Sequence, residues 1–155
     1  MRQSLIDGLF VGPRPKLRDF EKMPKVRTVV TLLKESEGPE AIGAAVLKSG
    51  KEWLWRPISF RPSGMNWTPP AAVILIAREV LDRINQGAAV FVHCAAGIDR
   101  TGVVLYTVAR LKGYNSKASV ELLDSAYQQL SLGERKAQQA RVIAHMTYEE
   151  EFNAR

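Results

Sequence analysis

The chain has 155 residues, of which 46% are hydrophobic and 25% charged, and it carries a formal net charge of +6. This length predicts one compact domain over residues 1–155, and the balanced composition excludes collagen-like, disordered and disulfide-scaffold proteins. The positive charge favours an anionic partner without choosing among nucleic acid, an acidic membrane surface and a phosphorylated substrate.

The first third of the chain alternates segments typical of strands and of helices. Residues 8–12 and 26–33 predict two β-strands, and we expect these two strands to be neighbours in one sheet. Residues 16–23 predict a short helix between them. Residues 39–48 predict a second helix, because their apolar side chains recur at helical spacing.

The middle of the chain adds two strands and a long helix. Residues 53–58 predict a strand that Pro57 either ends or places at a sheet edge. Residues 59–69 show no periodicity and predict a loop, whereas residues 69–86 predict an amphipathic helix opened by two prolines. Residues 88–93 are apolar without alternation, which is typical of a central parallel strand covered on both faces.

Three helices are predicted for the last third of the chain. They comprise residues 101–112, a segment capped by Asn115 or Ser116, and residues 134–150 after a break at Gly133. Strands alternating with helices, followed by a run of helices, predict a single α/β domain. Its central, mostly parallel sheet of four to five strands should carry helices on both faces.

No segment of the sequence predicts a membrane span or a secretion signal. The longest strongly apolar run, residues 71–77, is far too short to cross a bilayer, and the N-terminal residues lead into no signal-peptide core. We therefore expect no transmembrane segment and a cytoplasmic location.

The segment that points to chemistry is residues 92–102, which read VHCAAGIDRTG and lie where the buried strand ends and a helix begins. Such a junction presents unpaired backbone N–H groups and the positive end of a helix dipole, which together bind a phosphate-like anion. Cys94 is the only cysteine, so it forms no intrachain disulfide. Arg100 can hold two oxygens of a phosphoryl group that lies between its guanidinium and the Cys94 sulfur.

This segment resembles the active-site loop of the cysteine-dependent protein tyrosine phosphatases, specifically the small dual-specificity-like group. The family signature is His-Cys, five residues, then Arg followed by Ser or Thr, and His93, Cys94, Arg100 and Thr101 match it completely. When Gly97 and Gly102 are counted as well, a chance match at all six spacings is on the order of one in a million for a chain of this length. The resemblance implies a phosphomonoester hydrolase that uses no metal and no other cofactor.

The resemblance also assigns roles to individual residues. Cys94 would be the nucleophile that forms a phosphocysteine intermediate, and Arg100 would bind and stabilise the phosphoryl group. Thr101 would donate a hydrogen bond to the Cys94 thiolate, and His93 would orient the loop from behind. Gly97 would permit a backbone conformation that a side chain would obstruct. The residues expected to bind substrate are Ala95, Ala96, Gly97, Ile98, Asp99 and Arg100.

The carboxylate expected to act as general acid is not at the position found in most family members. Most supply an aspartate from a loop upstream of the cysteine, but residues 59–69 contain no carboxylate. Asp99 lies inside the motif instead, in a Cys-x-x-Gly-x-Asp-Arg pattern. A subset of the family that includes some bacterial phosphatases and the myotubularin lipid phosphatases has the same pattern, and by this resemblance Asp99 is the expected acid.

Two alternatives to this assignment stay open. Asp99 can simply complete the helix N-terminus or pair with Arg56 or Arg61. In that case Glu35 and Glu37 are the next candidate acids, because they follow a strand that would bring them near the site if it runs parallel to the central one.

The substrate also stays open. Phosphoinositide phosphatases often carry lysines inside the loop, and here those places hold Ala95, Ala96 and Ile98, so a phosphoprotein is the first expectation. The alternatives are a phosphoinositide or RNA 5′-phosphate substrate, or a phosphate-binding module with little or no turnover. All of them predict phosphate, sulfate or vanadate as ligands of the loop.

Aromatic residues and the second histidine are predicted to have structural roles. We expect His145 on the surface of the charged last helix. We expect the three tryptophans to pack in the core or against loops rather than to form a recognition platform; they are Trp53, Trp55 and Trp67.

Overall fold

The computed structural model describes residues 1–60 and 68–146, and in this part of the chain the strands form one five-stranded sheet. The strands are β1 (Arg2–Gln3), β2 (Leu9–Gly12), β3 (Val26–Thr31), β4 (Glu52–Trp55) and β5 (Ala89–His93). Their spatial order is β1-β2-β5-β3-β4. All neighbours run parallel except β1, which pairs with β2 in the antiparallel sense.

The central strand is β5, as its apolar run predicts, and it pairs in parallel with β2 on one edge and β3 on the other. The prediction that β2 and β3 are neighbours is therefore wrong. An unbroken apolar strand is most stable where both faces are covered and both edges are paired, and β5 takes that position between the two earlier strands. The strand containing Trp53 and Trp55 lies at the sheet edge, as Pro57 indicates.

Helices cover both faces of this sheet. The α-helices are α1 (Glu40–Lys48), α2 (Pro70–Asn85), α3 (Asp99–Leu111), α4 (Ser116–Ala126) and α5 (Leu132–His145). Two short 3₁₀ helices span Leu17–Lys22 and Glu35–Glu37. None of the helices in residues 1–60 and 68–146 has the length and apolar character needed to cross a membrane.

The two faces of β5 belong to two separate apolar clusters. Val90 and Val92 pack into the larger cluster, which includes residues of α2, α3, α4 and α5. Phe91 points the other way, into a smaller cluster with residues of α1 and the first 3₁₀ helix. Because side chains alternate along a strand, this division confirms that β5 is buried on both faces.

The cap predicted for α4 is confirmed, whereas the start of α5 differs from its predicted bound. α4 begins after the N-cap Asn115, whose side chain accepts a hydrogen bond from the Ala118 N–H at 2.8 Å. α5 begins at Leu132 rather than after Gly133, because Ser131 caps it and the Glu134 carboxylate accepts from the Ser131 N–H. The end of the predicted last helix, residues 147–150, lies outside the described residues.

His145 is buried, so the prediction of a surface position is wrong. Only 9% of its surface is exposed, and its ring packs edge-on against Phe60 with the ring centroids 4.4 Å apart. It lies three residues after Val142, which is also buried, and residues three apart share a face of a helix. Most residues of α5 are polar or charged, so its sequence pattern does not indicate this narrow buried face.

The tryptophans at the sheet edge pack as predicted, while Trp67 lies outside the described residues. Trp53 and Trp55 are parallel, with ring centroids 6.3 Å apart. The Trp53 indole lies directly against Gly43 of α1, where an added Cβ would overlap the ring. α1 therefore needs a glycine at this place in order to approach β4.

Gly43→Ala should destabilise the fold because the new methyl group overlaps a packed indole ring. We expect the free energy of unfolding to fall by about 1 to 3 kcal/mol, measured by urea denaturation. Gly133→Ala is the matched control, since it is also in a helix but an added Cβ there meets open space. The control should be neutral or slightly stabilising. Equal effects from both substitutions would contradict the packing argument.

Candidate active site

The loop at residues 94–98 follows the central strand, at the place where the carboxyl ends of three neighbouring parallel strands lie side by side. His93, the last residue of β5, is in register with Gly12 of β2 and Thr31 of β3. On one side the Arg14 N–H donates to the Ala95 carbonyl at 2.9 Å, and on the other the Leu32 N–H donates to the His93 carbonyl at 3.0 Å. The loop is thus bonded to the segments that follow both neighbouring strands, which is where ligands bind in open parallel sheets.

The Cys94 sulfur lies within this loop, and the residue is only 2% exposed. Its Sγ accepts hydrogen bonds from the Gly97 N–H at 3.2 Å and from the Thr101 hydroxyl at 3.1 Å. Hydrogen bonds to a charged form stabilise it, so both donors favour the thiolate. A cavity of about 340 Å³ opens above the sulfur; its walls include Ala95, Ala96, Ile98, Asp99, Arg100, Leu130, Glu134, Ala137 and Arg141.

Gly97 is required for two reasons. Its φ is +73°, a left-handed conformation that residues with a side chain rarely adopt. An added Cβ would also overlap the carbonyl group of Gly12, at the end of β2. The loop can therefore approach β2 closely only with glycine at this position.

The Arg100 guanidinium binds the carboxylate of Glu37 through both terminal nitrogens. The Nη1 to Oε1 distance is 2.6 Å and the Nη2 to Oε2 distance is 3.0 Å. The Lys34 N–H also donates to Oε1, at 2.9 Å, and so holds the carboxylate in place. The hydrogen bonds that Arg100 donates to Glu37 lower the pKa of Glu37 to about 2, and the same bonds raise the pKa of Arg100.

These contacts change the expectation for the two candidate glutamates. β3 does run parallel to β5, and Glu37 does reach the site, but a carboxylate with a pKa of about 2 carries no proton to donate near neutral pH. Glu35 is exposed and lines a different cavity, together with Lys34 and Trp55.

Asp99 is the first residue of α3, and its side chain lines the same cavity as Cys94. Its Oδ1 accepts a hydrogen bond from Arg141 Nη2 at 2.9 Å, and both side chains are substantially exposed. The alternative partner Arg56 is instead bound to Glu79, at 3.0 Å and 2.7 Å, so that pairing is wrong. Arg61 lies outside the described residues.

Four residues of α5 lie at the loop or its cavity, and the sequence pattern predicted none of them. Glu134, Ala137 and Arg141 line the cavity, while the buried side chain of Gln138 donates from Nε2 to the Ile98 carbonyl at 2.8 Å. The Ser131-x-x-Glu134 spacing is a recognisable capping box, but it reveals nothing about proximity to Cys94. Nothing in the local sequence indicates that α5 packs on the loop.

His93 is completely buried and bonded at both ring nitrogens. Its Nδ1 is 3.2 Å from the Cys94 carbonyl oxygen, and its Nε2 is 2.8 Å from the Thr31 hydroxyl. Burial lowers the pKa of His93 from 6.5 to about 4, so the ring is neutral near pH 7. Because a carbonyl only accepts, Nδ1 carries the proton.

Comparison with known proteins identifies what this arrangement is similar to. A sequence model described as the tyrosine phosphatase family matches residues 71–150, which include the whole loop. No curated protein sequence matches the chain.

Several solved structures share the fold. Tk-PTP in its active form is 20% identical and has a TM-score of 0.63, over 85% of this chain and 86% of that one. PTPMT1 is 20% identical with a TM-score of 0.65, over 93% and 98% of the two chains. The core catalytic domain of the PP-IP phosphatase SIW14 from S. cerevisiae, in complex with citrate, is 16% identical with a TM-score of 0.65, over 98% and 89%. At these identities the likeness shows a common α/β fold.

The lowered pKa of His93 predicts how stability depends on pH. The unfolded chain binds a proton at this histidine below about pH 6.5, whereas the folded chain does so only near pH 4. The free energy of unfolding should therefore be unaffected by His93 above pH 6.5 and should fall as the pH drops towards 4, by on the order of 3 kcal/mol. Burial also lowers the pKa of His145, which acts in the same direction. Urea denaturation between pH 7 and pH 4, with NMR titration of His93, measures this; a His93 midpoint near 6.5 would contradict it.

Proposed function

The chain belongs to the tyrosine phosphatase family, and from that premise we propose that it is a phosphomonoester hydrolase acting through a phosphocysteine intermediate. The observation that carries this proposal is the position of Cys94. Its sulfur accepts two hydrogen bonds at the base of a cavity that the Arg100 side chain also lines. A stabilised thiolate beside a guanidinium, at the N-terminus of a helix, is suited to attack a phosphoryl group.

In the first step the Cys94 thiolate attacks phosphorus, the bond from phosphorus to the ester oxygen breaks, and the leaving oxygen takes a proton. Backbone N–H groups of residues 95–100 would stabilise the equatorial oxygens. In the second step water attacks the phosphocysteine, inorganic phosphate is released and the thiolate re-forms. The Thr101 hydroxyl, 3.1 Å from the sulfur, would stabilise the departing thiolate.

Arg100 can bind a phosphoryl group without leaving Glu37. The pair with Glu37 uses one N–H of each terminal nitrogen, and a longer contact of 3.4 Å joins Nη1 to the Leu32 carbonyl. The N–H groups on Nε and the outer side of Nη2 are not used by these contacts, and these two lie side by side. Two adjacent donors match two oxygens of a phosphoryl group, while Glu37 keeps the guanidinium plane in place.

Asp99 is the carboxyl group that best fits the role of general acid. It lines the cavity of Cys94, as does Glu134, but the Glu134 carboxylate caps α5, and the hydrogen bonds from Ser131 lower its pKa. Glu37 is held ionised by Arg100. Of these three carboxylates, only Asp99 lies in the segment between Cys94 and Arg100, and its contact with Arg141 is a single hydrogen bond between two exposed side chains.

The walls of the cavity support a phosphotyrosyl or other phosphoprotein substrate. Apolar side chains surround the sulfur, among them Ala95, Ile98 and Leu130, and an aromatic leaving group can pack against them. Among the described residues, the cations that line this cavity are Arg100 and Arg141, and each is paired with a carboxylate. Substrates with several phosphates would need more free positive charge.

A second candidate function is a phosphate-binding module with little turnover. The observation in its favour is that the expected acid, Asp99, is engaged in an ion pair with Arg141, at 2.9 Å. Both candidates predict binding of phosphate or vanadate, and only the hydrolase predicts turnover of p-nitrophenyl phosphate in the presence of a chelator.

Cys94 should be alkylated rapidly by iodoacetamide at pH 7, because the two hydrogen bonds and Arg100 favour its thiolate. Inorganic phosphate should slow this reaction by occupying the loop. Cys94→Ser should keep phosphate binding and lose essentially all hydrolysis of p-nitrophenyl phosphate. Mass spectrometry follows the alkylation directly, since the chain has one cysteine. Slow alkylation that phosphate does not affect would refute the assignment.

Asp99→Asn should slow the hydrolysis of substrates with poor leaving groups about 100- to 10,000-fold, and that of p-nitrophenyl phosphate far less. An alkoxide or an unactivated phenolate needs a proton as it departs, whereas nitrophenolate does not. Glu134→Gln is the matched control, because it removes the other unassigned carboxylate of the cavity and keeps the helix cap. The control should change all substrates by one small factor. If Asp99→Asn also slows every substrate equally, the residue is structural.

A further inference from the structure

A groove leads away from the Cys94 cavity along the segments that follow β3 and β4. Its first part is a cavity of about 330 Å³ whose walls include Arg100, which also lines the Cys94 cavity, together with Lys34 and Ser59. Its second part, of about 540 Å³, shares Lys34 and Ser59 with the first and is also lined by Trp55 of the edge strand β4. Because neighbouring parts share walls, the groove is continuous from the phosphate-binding loop towards the sheet edge.

Hydrogen bonds within the protein hold the walls of this groove. The Trp55 indole nitrogen donates to the Leu33 carbonyl at 2.7 Å, which ties β4 to the residue before Lys34. The Ser59 N–H donates to the Thr68 hydroxyl oxygen at 3.0 Å, and the Thr68 N–H donates to the Ser59 carbonyl at 2.9 Å. A substrate that enters the groove therefore orders few groups of the protein, which lowers the entropic cost of binding.

Lys34 is the cation that both parts of the groove share. In residues 1–60 and 68–146 no carboxylate forms an ion pair with its ammonium group, whereas Arg100 and Arg141 are each paired. The hydrogen bonds from Arg100 are the main cause of the lowered pKa of Glu37, and the positive charge of Lys34 lowers that pKa further. The ammonium group thus lies near the phosphate-binding loop and is available to a ligand.

We propose that Lys34 forms a second substrate subsite, which binds the carboxylate of an aspartate or glutamate that flanks the phosphorylated residue of a phosphopeptide. The inference rests on the proposed function and names its substrate class. One ammonium group matches one carboxylate, and the exposed Glu35 in the same cavity offsets part of its charge. A second phosphate group, with a charge near −2, would need more positive charge than this.

The rest of the groove suits a peptide. Pro57 and Ile58 give the second part apolar surface against which a side chain can pack. Thr68 also lines it, and its hydroxyl oxygen accepts from Ser59, so that its own O–H proton is not used by this contact and can donate to a peptide carbonyl. The net charge of +6 attracts acidic peptides to the protein as a whole.

Phosphotyrosyl peptides that differ in one flanking residue test the proposal. Peptides with Glu, Gln or Lys at each of the two positions on either side of the phosphotyrosine are compared by kcat/KM. At one or more of these positions we expect the parent protein to prefer Glu over Gln by about two- to fivefold, with Lys the poorest. The preference should shrink when KCl is raised from about 0.05 M to about 0.5 M, because salt screens exposed charges.

Lys34→Gln should remove this preference, and Lys34→Glu should reverse it, so that the peptide with Lys becomes the better substrate. The ratio of kcat/KM for two peptides is the measured quantity, because general damage to the loop lowers both constants alike. Lys48→Gln is the matched control, since it makes the same charge change at the exposed end of α1, just before β4 begins. The control should keep the ratio of the parent protein.

Two results would overturn the proposal. One is an equal ratio in the parent protein and Lys34→Gln, or no flanking position that distinguishes Glu from Lys. The other is a peptide with phosphoserine in place of Glu that binds much more tightly than the Glu peptide, which would identify a site for a second phosphate group.

Failure of the proposed function gives a different result. If the parent protein hydrolyses no phosphopeptide, the hydrolase proposal fails, and fluorescence anisotropy with Cys94→Ser then measures binding of the same labelled peptides. Tighter binding of the Glu peptide that is lost when Lys34→Gln is added would support the subsite. Equal binding of the Glu, Gln and Lys peptides would overturn it.

Discussion

The parallel pairing of β5 on both of its edges is the constraint on which the rest of the site depends. It brings the ends of β2 and β3 beside the end of β5, so that the residues after each strand meet at one edge of the sheet. Arg14 and Leu32 can then bond to the backbone of the loop and its preceding residue. Gly97 completes this arrangement, because the loop lies so close to Gly12 that a side chain has no space.

Charge at the site is organised in pairs rather than left free. Arg100 is paired with Glu37, and Arg141 with Asp99. The net positive charge of the protein attracts anions in general, and Glu37 holds the Arg100 guanidinium in one orientation at the site. The first pair is partly shielded from solvent and bidentate, which makes it the stronger of the two. Each pair joins residues far apart in the sequence, 63 positions for Arg100 and Glu37 and 42 positions for Arg141 and Asp99.

Sequence patterns predicted most of the fold and the central part of the site, for reasons that particular residues illustrate. The identity of β5 and the loop from Cys94 to Thr101 are local features: a run of apolar residues, then a strand-to-helix junction whose geometry follows from its own sequence. The predictions that were wrong concerned which segments of the chain pack against each other. The adjacency of β2 and β3 and the exposure of His145 depended on which segments pack together, and hydrophobic periodicity does not specify partners.

The sequence by itself determined that this chain is an α/β domain with a cysteine, a guanidinium and a row of backbone donors at one loop, because neighbouring residues at a strand-to-helix junction have little freedom relative to each other. Only the tertiary structure decided that Glu37 would bind Arg100, that Gln138 and Arg141 would approach from α5, and that Thr31 would reach His93. These contacts join residues 40 or more positions apart. Their formation depends on strand order and helix packing, which arise from burial of apolar surface over the whole domain rather than from any local pattern.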